Sequence, residues 1–119
     1  MNKEITISTA LTLLKILGKA SLDGLTFKEK MGIVKDINTM DGVREDYRKY
    51  CEKLTEQRDQ DQLKDYEVNM MATEHAGESV TVEVAGLTDA VVEKLADANP
   101  KLTGAELALL MSCCDTATD

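Results

Sequence analysis

The stretch TFKEKMGIVKDINTMDGVREDYRKYCEKLTEQRDQDQ, residues 26–62, decides the fold. It is dense in charge, contains no proline and carries an apolar residue every three or four positions. Thr26 and Glu29 stand at capping-box spacing, where a hydroxyl and a carboxylate each take up an orphan backbone N–H at a helix start. Phe27, Met31, Val34, Ile37, Met40, Val43, Tyr47, Cys51 and Leu54 follow as one helical stripe. Asp41 with Arg44, Glu45 with Lys49 and Lys53 with Glu56 give local ionic support on the other faces. Drawn as a single helix, the stretch measures roughly 54 Å at about 1.5 Å per residue. A compact chain of this length spans only about 35 Å. The helix therefore either projects or breaks, and Asn38, Asp41 and Gly42 mark the kink if it breaks.

Outward from this stretch the elements are short. Residues 4–7 alternate weakly, as an extended lead-in. Ser8 or Thr9 caps a helix over residues 10–19, with Ile7, Leu11, Leu14 and Leu17 on one stripe and Leu13 and Ile16 off it. A helix apolar on more than one side needs more than one neighbour, in a bundle or in a partner molecule. Gly18 and residues 21–24 turn the chain. After the long helix, residues 58–65 read as a polar loop. Residues 66–75 form a short helix with Val68, Met71 and Ala72 inward, ended by Gly77. Residues 79–84 alternate Val80, Val82, Val84 against Thr81 and Glu83, the period-two signature of a strand. Residues 4–7 are its partner in a two-stranded ribbon. Failing that, it pairs with another molecule's edge. Thr88 caps a helix over residues 89–98 with Val91, Val92 and Leu95 inward, and Asn99-Pro100 ends it. Thr103 and Glu106 repeat the capping-box spacing before a last helix over residues 105–114, with Leu107, Leu110, Met111 and Cys114 on its stripe.

The reading is a mainly α single domain of 119 residues. Residues 8–62 form a helical hairpin or small bundle. Residues 63–114 add a short helix, a strand and two short C-terminal helices, and residues 115–119 a disordered tail. The core must be aliphatic, because the chain has one Phe, three Tyr and no Trp. Net charge is −8 and lies wholly in the C-terminal half. Residues 1–65 hold 12 Lys/Arg against 12 Asp/Glu, and residues 66–119 hold 2 against 10. That argues against direct nucleic-acid binding, which needs clustered cations to neutralise phosphates. It suits a basic partner, or mimicry of nucleic acid toward one.

The familiar chemistries fail on spacing. Asp59 and Asp61 open like a calcium loop, but the fifth and sixth positions are Leu63 and Lys64 instead of an oxygen ligand and glycine. Cys113 and Cys114 are adjacent, so on a helix they diverge by about 100° and do not close on one zinc ion. His75 is the only histidine and sits in no nucleophile–base motif. Gly18-Lys19-Ala20-Ser21 lacks the pattern of a phosphate loop. The expectation is no enzyme, no cofactor and no metal. An odd cysteine count with an adjacent pair suits reduced thiols in a cytoplasmic setting. Lys15 interrupts the apolar run at residues 10–17 and Glu4 precedes it, which does not suit a signal peptide. No stretch is apolar enough to span a membrane. What is left is surface. Leu13 and Ile16 on the first helix, Tyr47, Tyr50 and Leu54 at the end of the long helix, and Met70 beside Met71 are the candidate contacts for a protein partner, or for a second copy in a homo-oligomer.

Ala10-Leu11-Thr12-Leu13-Leu14, the run from Glu45 to Leu54, Val80 to Val84 and the run from Leu102 to Leu110 follow one another in a recognisable layout. It resembles a loose group of small uncharacterised phage and prophage proteins. These have a Leu-rich first helix, a long charged helix, a short β-like segment and a final Leu-rich helix. The resemblance implies a mobile-element origin and no functional residue. The function expected is non-enzymatic protein–protein interaction or assembly. The alternative is an acidic inhibitor that occupies the basic groove of a host nucleic-acid enzyme.

Overall fold

A computed structural model describes residues 2–114; the tail expected at residues 115–119 lies outside them. The order is β1 (Asn2–Thr6), α1 (Ile7–Lys19), α2 (Phe27–Asp59), α3 (Asp65–Ala76), β2 (Ser79–Glu83), α4 (Asp89–Ala98) and α5 (Gly104–Ser112). This is the mainly α fold with a two-stranded ribbon and two short C-terminal helices that the sequence implies. β1 and β2 pair antiparallel, from Asn2 opposite Glu83 to Thr6 opposite Ser79. The Ile7 N–H donates to the Glu78 carbonyl at 3.0 Å and continues the ribbon into the helix.

Local chemistry sets the helix starts. The Thr26 hydroxyl accepts from the Glu29 N–H at 3.2 Å while the Glu29 carboxylate accepts from the Thr26 N–H at 2.9 Å. Thr103 and Glu106 close the same reciprocal pair before α5, and Thr88 caps α4 through the Val91 N–H. Each such cap contributes about 1 kcal/mol. At α1 the cap is Thr6, two residues ahead of Ser8, with its hydroxyl accepting the Thr9 N–H. The strand runs straight into the helix there, so the last strand residue doubles as the cap.

α2 is unbroken through Gly42. Its 33 residues give a rod of about 50 Å at about 1.5 Å per residue. The molecule is accordingly 52 × 29 × 23 Å, with a radius of gyration of 16.5 Å, against roughly 13–14 Å for a compact chain of this size. The helix projects, and α3 folds back along its distal half.

The inward face of α2 differs from the apolar stripe. Its buried residues are Ile33, Asp36, Met40 and Leu54, while Phe27, Met31 and Val34 are exposed. The reason is geometric. Successive steps of three residues rotate the stripe backward, so on an unbroken helix Met31 lies about 180° around from Met40. In α1, likewise, the core side carries Ala10, Leu13, Ile16 and Leu17, and Leu11 and Leu14 are only half-buried. These residues meet Ile33 and Met40, Val82, Val84 and Leu87 around β2, Val91, Val92 and Leu95 of α4, and Leu110, Cys113 and Cys114 at the end of α5.

At the centre of this packing, α2 touches the segment after β2 backbone to backbone. A Cβ placed on Gly86 would lie 2.3 Å from both the carbonyl carbon and the oxygen of Gly32. One turn along α2, the Asp36 carboxylate is 1% exposed and accepts the Gly86 N–H at 2.9 Å. The Ala85 and Leu87 N–H groups are directed at the same carboxylate. Burial pushes the Asp36 carboxyl up to about 6, against the pull of these donors.

Gly86→Ala should lower stability by about 2–4 kcal/mol, since backbone must move to admit the methyl. Gly42→Ala, with open space around its Cβ position, should raise stability by about 0.5–1 kcal/mol. Urea denaturation measures both, and equal effects would remove the contact from the core. For Asp36 the folded chain holds its proton more tightly than the unfolded chain. Stability from this group is therefore present at low pH and lost as pH rises from about 4 to about 6. Asp36→Asn has no such titration. From pH 4 to pH 7 the unfolding free energy of wild type should fall relative to the variant by on the order of 2 kcal/mol. A constant difference across that range would refute the assignment.

Candidate interaction surface

Six residues stood as candidate contacts, and packing removes three of them. Leu13 and Ile16 are buried in the core against α2, and Leu54 is buried in the distal half of α2. They hold the chain together and are not offered to a partner. Tyr47 and Tyr50 are half-buried by a cluster that the sequence did not suggest. The His75 ring lies 5.8 Å from the Tyr47 ring, stacked, and 4.0 Å from the Tyr50 ring, tilted. The Tyr47 hydroxyl donates to the Ala72 carbonyl at 3.0 Å, and burial pushes its phenol up. His75 Nδ1 also meets the Glu78 carboxylate at 2.6 Å. The lone histidine thus fastens the end of α3 to α2. The projecting end of α2, expected as the open surface of a straight helix, is covered by α3. Met70 alone of the six remains exposed, with Tyr66 one turn before it on α3.

The larger uncovered apolar feature is on the other end of α2. Phe27, Met31 and Val34 stand at i, i+4 and i+7, on one outer face, and Phe27 is 79% exposed. The capping box at Thr26 fixes Phe27 as the first residue of the helix. Lys28, Lys30 and Lys35 lie exposed around this face. Glu29 is turned to α4, where the Lys94 ammonium donates to its carboxylate at 2.7 Å and holds it below the usual carboxylate range. The signal was in the sequence, in the spacing of these three residues. The stripe does not mark the inward face, because Gly32 and Asp36, which face inward, are not apolar. Farther along the outer side, Asp41–Arg44, Glu45–Arg48 and Arg48–Glu52 pair in a solvated ladder. Such exposed pairs contribute little individually.

α4 carries a second feature. Asp89, Glu93 and Asp97 recur every four residues and are all exposed. Like charges at this spacing disfavour a helix slightly. Beside them, Val92, Ala96, Leu107 and Met111 line a shallow groove between α4 and α5, with Met111 exposed at its edge. The adjacent cysteines offer no reactive site here. Cys113 and Cys114 are buried, and burial pushes the Cys114 thiol up to about 11, where a thiolate is scarce. Among the described residues no three His, Cys, Asp or Glu side chains converge as metal ligands, and no helix is long and apolar enough to cross a membrane.

Comparisons with protein-family models, curated proteins and solved structures return no match for this chain.

Replacing Phe27, Met31 and Val34 together by Ser should leave the melting temperature of the isolated chain unchanged or slightly raised. Leu13→Ala should cost about 2–5 kcal/mol. Thermal denaturation of both variants separates the outer face from the core, and a large loss in the triple variant would return these side chains to the core.

Proposed function

We propose that the chain is a non-enzymatic interaction or assembly factor, phage-encoded and acting in the cytoplasm of a bacterial host. It docks on a protein partner through the outer face of α2. The observation that carries this reading is the exposed Phe27–Met31–Val34 face on a helix whose other sides are packed or charged. Burying a fully exposed side chain of this size is worth about 1.5–3 kcal/mol, and Phe27, 79% exposed against 42% for Met31 and 39% for Val34, offers the largest share. The molecule leaves that stabilisation unused unless something covers them. The spacing is that of a helix laid into an apolar groove. The flanking lysines select a groove with an acidic rim.

The test is a photo-crosslinking amino acid at Met31, activated in host cells. A discrete adduct should form, and Phe27→Ser with Val34→Ser should abolish it. An adduct that survives both changes, or none at all, overturns the reading. Sedimentation equilibrium of the purified chain distinguishes a second copy from a foreign partner.

The Asp89–Glu93–Asp97 row favours one other reading, an acidic inhibitor of a host nucleic-acid enzyme. Binding of that kind weakens steeply with salt, because the charges involved are exposed and screened. Docking through the apolar face does not.

A further inference from the structure

A cleft of about 740 Å³ lies between the last turns of α1 and the α4–α5 connection. Its volume falls in the range of small-molecule sites. Ile16, Ala20, Pro100 and Leu102 supply an apolar floor. Lys15, Lys19 and Lys101 stand around it.

The placement of these three ammonium groups is unusual for this chain. Residues 66–119 hold two Lys/Arg against ten Asp/Glu. Of the two, Lys94 is paired with Glu29, and the other is Lys101. α1 has no acidic residue at all, so Lys15 and Lys19 repel each other at i, i+4 without relief from their own helix. None of the three belongs to an ion pair among the described residues. The one acid at the cleft, Glu106, is held in the α5 capping box, accepting the Thr103 N–H at 3.0 Å. The Asn99 amide closes the inner end without being available to a ligand. Its oxygen accepts the Ser21 N–H at 2.7 Å and its nitrogen donates to the Ser21 carbonyl at 2.9 Å. That clamp ties the two walls of the cleft together and preforms it.

We infer that this cleft binds a small amphipathic anion, with a hydrocarbon or ring body on the apolar floor and a carboxylate or phosphate among Lys15, Lys19 and Lys101. An uncharged molecule of the same body fits the floor but leaves the like charges of α1 unrelieved. The site is separate from the outer face of α2 and independent of the partner proposed for it.

The test is an NMR titration of the full chain with octanoate, octyl phosphate and octan-1-ol, each below its micellar range. Octanoate and octyl phosphate should move the amides of residues 12–20, 98, 99, 101 and 102. Both should bind roughly tenfold or more tightly than octan-1-ol, about 1.4 kcal/mol. A preference between the two anions tells which headgroup the site takes. Lys15→Gln with Lys19→Gln and Lys101→Gln, all exposed positions, should bring the anions down to the level of the alcohol. Glu106→Gln retains the capping geometry and should tighten octanoate binding. Equal affinity for octanoate and octan-1-ol in the wild-type chain overturns the inference. So do shifts confined to the Phe27 face, or no shifts up to the solubility limit.

Discussion

Everything in the core is arranged about the contact of α2 with residues 85–87. Two chain segments meet there with no side chain between them, and only a pair of glycines at positions 32 and 86 allows it. The approach strands the Gly86 N–H away from water, and a buried donor without a partner costs about 1–3 kcal/mol. Asp36 resolves this by bringing a carboxylate to it. The remedy has its own cost, the desolvation of the carboxyl, which raises its proton affinity. Removing the carboxylate altogether would be worse than keeping it, because the donor would stay buried. The site therefore holds α2 in one rotation and one register against β2. With that rotation fixed, Ile33 and Met40 face the shared core, and Phe27, Met31 and Val34 face out.

This contact also explains where the sequence was legible. Capping residues act on neighbours three positions away, so Thr26, Thr88 and Thr103 could be recognised without knowing the fold. The Val80–Val82–Val84 alternation and its pairing with the N-terminal strand followed from local period and from the lack of another partner. The rotation of α2 did not follow, because its inward face is marked by glycine and aspartate, which an apolar pattern passes over. α1 failed for a related reason. It is apolar on two sides, and only its neighbours decide that Ala10, Leu13 and Ile16 face them. Of the proposed contacts, Leu13, Ile16 and Leu54 were lost to these two effects. Tyr47 and Tyr50 were lost to a histidine about 25 residues on, a distance no local pattern spans.

The two halves of the molecule are built differently. The proximal part has a shared aliphatic core drawn from five elements. The distal part is α2 and α3 alone, joined by half-buried Tyr, His, Val and Met side chains, and α3 has no fully buried residue among its twelve. An elongated shape results without any loss of continuity in α2. It also keeps the outer face of α2 and the cleft beside α1 on the well-packed proximal body, where their geometry is fixed.

The ribbon has a consequence for how the chain is made. β1 leaves the ribosome before β2, which emerges only after three helices. At about 5–20 residues per second the first strand waits on the order of several seconds with both edges open. An open apolar strand in that interval invites pairing with other chains. β1 reads Asn-Lys-Glu-Ile-Thr, with a cation and an anion at its middle and a single aliphatic side chain. Across the finished ribbon Lys3 stands opposite Val82 and Glu4 opposite Thr81, neither of them a charge. Their value lies in the interval before it closes, when they keep a newly made strand from the wrong neighbour.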